Sequence, residues 1–499
     1  MSPMGTRRDV LRAGLIIGGG IALGGIGAGV AGRPAAAAGS TSPVSTSSIG
    51  HNHHGRFRAA DLQVMTVTED SLTVCWATWD ALRLEEGRPV GVPTNGRLRV
   101  WPKSAGSDLR TVRPEAVREV HSLGEAAFHL LTVEGLEPDT DYCFEADSEG
   151  ARAKPTHHLI EESRRVVRTL PRLPGELLET IVVANDVHIG ETVDGVLVGE
   201  FPPPARVPEG ARPYPEVALA AVIEGARRAG ASRLFVNGDL TSEARPEEVR
   251  RARELLDTFP GRWRVTRGNH DRPHRADQDA RYAECSTYTP PEGALSSAAR
   301  DEGRDYRDCF GEHFGERQRP WVEELDSGGR VVGVDSTTLD SSGGAIASDQ
   351  MDELGDILRS EPTRRTVVML HHPVTNEAAF TNPGTPAFVL NRRDAMKFQR
   401  LVEQTPGVAL VMAGHTHRSR HNRPDVATEA VFLETPAAKS WPTGATHLRF
   451  FDDGIMVNFR HNMGAEAHDW AMRTRWTQFG LSPALGSGTV DSRNMVIRC

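Results

Sequence analysis

Ile181-Val182-Val183-Ala184-Asn185-Asp186-Val187-His188 is the stretch that decides the fold. Its apolar start, mostly β-branched, is a short strand of the buried type. The chain leaves that strand through an acid and an imidazole two residues apart. The same grammar recurs downstream. Leu234-Phe235-Val236 runs into Asn237-Gly238-Asp239, and Trp263-Arg264-Val265-Thr266 runs into Arg267-Gly268-Asn269-His270-Asp271. Thr366-Val367-Val368-Met369-Leu370 runs into His371-His372-Pro373, and residues 408–412 run into Ala413-Gly414-His415-Thr416-His417. A helical period over 216–228 and a charged helix over 246–258 separate the first three strands, which is the alternation of an α/β fold. In such folds ligands bind at the carboxyl ends of the strands. Each acid, amide and imidazole named above falls at such an end. Asp186/His188 and His415/His417 are i, i+2 pairs, so a continued strand would point both members of each pair to one side.

In order, Asp186-x-His188, Gly238-Asp239, Gly268-Asn269-His270-Asp271, His371-x-Pro373 and Gly414-His415-x-His417 resemble the motif set of the calcineurin-like metallophosphoesterase superfamily. Any one of these motifs is commonplace; all of them in order, each after a hydrophobic strand, form a specific signal. The resemblance covers about residues 180–461. It implies a four-layer α/β/β/α sandwich, with a catalytic domain over 180–463. It implies one metal held by Asp186, His188 and His417, another held by Asn269, His371 and His415, and Asp239 bridging the two. It also implies hydrolysis of phosphomonoesters or phosphodiesters by a metal-bridging hydroxide. His270 would be the catalytic histidine, serving the leaving-group oxygen, with Asp271 orienting it or tuning its pKa. Carboxylate, amide and imidazole donors together suit Fe, Mn, Zn or Co better than copper(I). Two such ions polarise a phosphoryl oxygen and make a nucleophile available near neutral pH. Arg267 is a candidate phosphate contact, with a salt-bridged arginine as the alternative. His372 stands either behind the ligands or toward substrate.

The chain departs from particular subfamilies. Purple acid phosphatases carry a tyrosine shortly after the Gly-Asp motif, whereas Gly238-Asp239 continues Leu240-Thr241-Ser242-Glu243-Ala244. An Fe(III)–tyrosinate site is therefore not implied. The His371-His372-Pro373 run resembles bacterial phosphodiesterases of the cyclic-nucleotide class, and the chain as a whole resembles exported actinobacterial metallophosphoesterases. Two insertions, 189–213 and 272–324, leave from the rim of the expected centre and are the segments expected to set substrate choice. The second holds Cys285 and Cys309, the best-placed pair for a disulfide in an exported protein, with free thiols as the alternative. Strand-like runs at 447–451 and 455–459 are expected to complete the second sheet. Residues 464–499 read as a C-terminal tail or surface strap.

Residues 56–170 show short alternating strands with turn signals. Leu72, Val74 and Trp76 alternate with Thr73, Cys75 and Ala77. With the corner Gly135-Leu136-Glu137-Pro138-Asp139-Thr140-Asp141-Tyr142, they resemble a fibronectin type III sandwich whose Tyr142 hydroxyl bonds nearby backbone. If Trp76 and Tyr142 face the core, Cys75 and Cys143 face outward from different sheets and do not pair. Such a module either contacts the cell wall or is a spacer packed on the catalytic domain; the spacer is the favoured reading.

The N-terminus reads Thr6-Arg7-Arg8-Asp9-Val10-Leu11-Arg12, then an apolar stretch rich in glycine, then Ala35-Ala36-Ala37-Ala38. A charged start, an apolar middle and a small-residue end make residues 1–38 an export signal resembling the twin-arginine (Tat) type. An uncleaved anchor is the alternative. Residues 39–55 are a Ser/Thr/Gly-rich flexible linker. The expected location is secreted or cell-envelope, with membrane contact only during export. The chain has 499 residues with 58 Lys+Arg, 67 Asp+Glu and a net charge of −9. Without residues 1–38 it carries 54 basic and 66 acidic side chains, or −12. That balance argues against a nucleic-acid polymer as partner. It does not argue against small phosphate esters, because bound cations supply local positive charge. The competing function is a cell-envelope binding protein with a vestigial phosphoesterase site; the intact donor positions favour the enzyme.

Overall fold

Alternate side chains of the strand Leu177–Ala184 enter two different cores. Ile181 and Val183 pack with Phe235, Val367, Met369, Leu410 and Leu448 between two sheets. Val182 and Ala184 pack outward with Leu219 and Val222 of helix Tyr214–Arg228 and Val249 of helix Pro246–Leu256. On the facing sheet the same parity puts Val368 and Leu370 against Leu354 and Leu358 of helix Ser348–Ser360 and Phe398 and Leu401 of helix Arg392–Glu403. A strand buried on both faces reads as a continuous apolar run, which is why the strands stood out in the sequence. The result is the four-layer α/β/β/α sandwich. The computed structural model describes residues 57–85, 88–156, 160–195, 203–277, 279–290, 305–382, 388–477 and 483–499. The export signal and linker expected over 1–55 lie outside the described residues. No helix among the described residues is long and apolar enough to cross a membrane.

The first sheet runs in the order Arg262–Thr266, Arg233–Asn237, Leu177–Ala184, Gly444–Phe451, Gly454–His461, Asn494–Arg498. Its first three strands are parallel and the rest antiparallel. The second sheet runs Trp321–Glu324, Arg330–Val334, Thr366–Leu370, Val408–Ala413, Val431–Glu434, Arg420–Asn422. All five motifs therefore sit at one end of the sandwich, beyond the carboxyl ends of parallel strands. Two expectations need correcting. The runs near 447–451 and 455–459 join the first sheet, not the second, because Leu177–Ala184 offers them its open edge. The segment after 463 is built into the fold: helix Ala465–Thr474 stacks Trp470 on Tyr214 at 4.0 Å, and Asn494–Arg498 is the edge strand of the first sheet.

The N-terminal sheets form a β-sandwich, one of four strands and one of five. Leu72, Val74, Trp76, Leu98, Val100, Tyr142 and Phe144 fill it. The Tyr142 hydroxyl accepts a hydrogen bond from the Glu137 amide at 2.8 Å, as the corner motif requires. Cys75 and Cys143 do lie off that core and do not pair, yet both are buried. The outer face carrying Cys75 is not free: it packs with Met65 and Phe128 against Trp441, Phe459 and Ala471 of the catalytic domain. Glu69 grips Arg449 through two contacts at 3.0 and 2.6 Å, and Asp61 holds Arg475 at 3.0 Å. The sandwich is thus seated on the catalytic domain.

In the second insertion Cys285 and Cys309 are joined, 24 residues apart. Closing a loop of that size restricts the unfolded chain by roughly 3 kcal/mol. We expect Cys285→Ser with Cys309→Ser to lower unfolding free energy by about that amount in urea titrations. A stability indifferent to both the substitutions and added thiol would contradict this.

Candidate metal centre

The five motif positions do not continue their strands. Asp186, His188, Asp239, His415 and His417 all have positive φ, between 51° and 67°. Left-handed backbone is uncommon outside glycine, and its strain collects at functional sites. This corrects the strand-parity argument for the i, i+2 pairs. The chain turns sharply after Ala184 and again after Ala413, and the turns, not the pleat, bring each pair to one point. Interlaced backbone bonds hold them there: the amides of Val187 and His188 donate to the Asp239 carbonyl, each at 2.9 Å, and that of Asp186 to Gly238 at 3.0 Å. The His415 amide donates to Asp186 Oδ2 at 3.0 Å. Asn237 clamps the two sheets together here, its Nδ2 reaching the carbonyls of Leu370 and Met412 at 3.1 and 3.2 Å. Gly268 has no room for a side chain: a Cβ would lie 2.1 Å from the Asp239 amide nitrogen.

Two groups of donors meet on Asp239. Asp186, His188 and His417 form one, and His371 and His415 form the other together with Asp239 itself. Asp239 Oδ2 lies 3.4 Å from His188 Nε2 and 3.3 Å from His371 Nε2, between the two groups. Asp186 Oδ1 is 3.2 Å from His417 Nε2. Asn269 Oδ1 and His415 Nδ1 each stand 3.1 Å from His371 Nε2. The seven residues expected as ligands are therefore all brought together, and all are buried.

This donor set fits metal ions. Asp186 Oδ1 and His188 Nε2 are buried with no hydrogen bond, a cost a native fold carries only for a reason. Around His371 Nε2 an imidazole nitrogen and an amide oxygen converge on one atom that has at most one proton to give. Burial drives the pKa of His415 well below its ordinary value and lowers that of His417, which favours the uncharged, ligating form of both rings; against burial, Asp239 raises that of His371 to about 9, and Glu191 and Asp239 raise that of His188. Burial alone would raise Asp239, but His371 and His270 outweigh it and hold the carboxylate well below its usual range.

His270 differs from the ligands in being only partly buried. Its ring lies 4.6 Å from that of His188, its amide donates to Asp239 Oδ1 at 2.8 Å, and its Nδ1 meets the Ser242 carbonyl at 2.6 Å. That contact assigns the Nδ1 proton.

One expectation is corrected, and two sets of alternatives are decided. Asp271 is not shown orienting the His270 ring. Its carboxylate accepts from the Leu240 amide at 3.1 Å, the Thr241 amide and hydroxyl at 2.8 and 2.6 Å, and the Gly268 amide at 3.1 Å. It ties two motif turns together. Burial and the nearby Asp239 raise its pKa to about 6. Arg267 does not face phosphate. It is 4 % exposed and grips Asp308 through two 2.9 Å contacts, donates to the Asp271 carbonyl at 2.6 Å, and lies over Phe310. The long insertion brought Asp308 to it, which the sequence could not show. His372 is fully buried behind His371, with Nδ1 2.9 Å from the Ser336 hydroxyl, and burial lowers its pKa to about 3. Removing Arg267 strands a carboxylate in the interior, so Arg267→Met should cost about 3–5 kcal/mol of stability and leave KM for an ester unchanged. A raised KM at unchanged melting temperature would return Arg267 to the phosphate.

Sequence reasoning missed Asn185, Asn237 and the group behind His188, namely Glu191, Asp194 and Lys439. Asn185 donates to the Thr435 hydroxyl at 2.6 Å, fixing the turn that carries Asp186. None belongs to a motif; the one trace is that Lys439 is one of just four lysines in the chain.

Fold and site together define an α/β/β/α domain with candidate metal-ligand groups gathered around Asp239. Residues 179–419 match the calcineurin-like phosphoesterase family, and the chain carries a catalytic domain of that family, a metal-dependent phosphoric ester hydrolase by class. No curated protein matches it in sequence. Among solved structures it is similar to a dimetal phosphatase from Danio rerio, with 14% identity and a TM-score of 0.41 over 58% of this chain and 98% of that one. It is also similar to the purple acid phosphatase PPD1 from yellow lupin (Lupinus luteus) seeds, with 12% identity and a TM-score of 0.39 over 82% of this chain and 71% of that one.

Proposed function

We propose that the protein is an exported phosphatase or phosphodiesterase acting on small phosphate esters with two ions of Fe, Mn, Zn or Co. The observation that supports this best is the convergence of both donor groups on Asp239, with His270 alone among the motif histidines only partly buried. When bound, two ions polarise the phosphoryl group and supply a nucleophile at neutral pH. The chain's own residues do the rest. Asp239 fixes the spacing of the two donor groups. His270, anchored through Nδ1 by Ser242, presents Nε2 to the leaving-group oxygen and handles its proton. Asp271 and Asn237 keep the motif turns from relaxing. A vestigial site has no support where every donor is in place.

Export by the Tat route rests on Arg7-Arg8 and the segment that follows. Arg7→Lys with Arg8→Lys should leave the full-length precursor inside the cell; unchanged export would exclude that route. Comparing p-nitrophenyl phosphate with bis-p-nitrophenyl phosphate on the purified protein separates monoesterase from diesterase. We expect turnover of at least one of them.

A further inference from the structure

Behind His188, on the side away from Asp239, lies a buried row of charged groups. Glu191 Oε2 stands 3.1 Å from His188 Nδ1. Lys439 Nζ is ion-paired with the Glu191 carboxylate and lies 3.9 Å from Asp194 Oδ1. Asp194 also accepts the Thr477 hydroxyl, and the Lys439 carbonyl accepts from Trp470 Nε1 at 2.7 Å. Lys439 is 2 % exposed and Asp194 fully buried. Burying an ammonium and two carboxylates is costly unless they are closely paired, and the fold brings two distant segments, 191–194 and that of Lys439, together to pair them. The row ends on a ring nitrogen whose partner, Nε2, is aimed at Asp186 and Asp239. The Nδ1 contact is at hydrogen-bond distance but not yet at a hydrogen-bond angle.

We propose that Glu191 is a positioning residue for the metal ion held by Asp186, His188 and His417. Its carboxylate takes the Nδ1–H of His188, which fixes the tautomer and keeps the Nε2 lone pair turned to the ion. Lys439, braced by Asp194, holds that carboxylate in place. A carboxylate behind a ligating imidazole orients the ring and strengthens it as a donor. The inference rests on the two-metal reading of the centre and is independent of which ester is cleaved.

The test uses the mature full-length protein and needs no substrate. Affinity for Zn(II) and Mn(II) is measured by chelator competition in the wild type, Glu191→Gln, Glu191→Asp and Lys439→Met. The metal-free melting temperature is recorded for each. The Co(II)-loaded forms are examined by proton NMR for the exchangeable imidazole N–H signals. We expect Glu191→Gln to weaken one of the two ions about 10–100-fold, to spare the other, and to broaden one N–H signal. Lys439→Met should act in the same direction, and Glu191→Asp should recover part of the affinity. The metal-free melting temperature of Glu191→Gln should fall, because buried Lys439 loses its nearest counter-ion, whereas that of Glu191→Asp should stay nearer the wild type. Wild-type affinity for both ions with an unchanged N–H signal in Glu191→Gln would overturn the proposal. So would parallel loss of both ions and of metal-free stability in Glu191→Gln and Glu191→Asp, since that marks a purely scaffolding role. A protein that binds two ions with these dependences but cleaves no ester would leave this inference standing and defeat the phosphoesterase reading instead.

Discussion

Asp239→Asn should empty the centre and all but abolish hydrolysis. Asp239 is the residue both donor groups share, with Oδ2 within 3.4 Å of His188 and 3.3 Å of His371. Its other oxygen accepts the His270 amide at 2.8 Å. An amide of the same shape keeps the packing but removes the anion from a fully enclosed cluster of imidazoles. Breaking a buried charge pair costs roughly 3–5 kcal/mol, and each 1.36 kcal/mol is a decade in rate. A loss of that size in holding the ions should lower turnover by about 10²–10⁴-fold. Elemental analysis of the same preparation should show fewer than two ions per chain. Two retained ions with near-normal turnover would show that Asp239 does not bridge.

His270→Ala should separate chemistry from metal binding. The ring is partly exposed, and Nδ1 is anchored to the Ser242 carbonyl at 2.6 Å. A positioned acid or base of this kind is worth about 10²–10⁴-fold. We expect kcat to drop by that factor while metal content stays at the wild-type level. His270 also lies close enough to His188 and Asp239 to group with them as a donor. Metal content that falls together with kcat would make it a ligand instead, and undiminished turnover would remove it from the reaction.

What the sequence disclosed and what it hid have separate physical causes. Ile181, Val183, Val367 and Leu410 are buried on the inner faces of both sheets, and strands enclosed on both sides must be apolar throughout. The candidate donors at 186, 188, 239, 269, 371, 415 and 417 were legible because carboxylate, amide and imidazole at strand ends form a recognisable set. The turns that aim them were not. Positive φ at Asp186 or His415 leaves no mark in residue type, so the parity argument reached the right convergence for the wrong reason. Arg267 and Asp271 sit inside a motif, yet their partners Asp308 and Thr241 are chosen by loops whose path depends on the whole fold. The face that seats the sandwich was hidden for the same reason. Cys75 lies off the sandwich core, as alternation predicts, but its own face is covered by Trp441 and Ala471 from the far end of the chain.

The most direct measurement pairs metal stoichiometry with ester hydrolysis on the purified mature protein. The account predicts two ions per chain and hydrolysis of p-nitrophenyl phosphate or its bis ester that is lost on chelation and restored by adding metal back. Two bound ions with no hydrolysis across a panel of phosphate esters, or hydrolysis indifferent to complete metal removal, would contradict it.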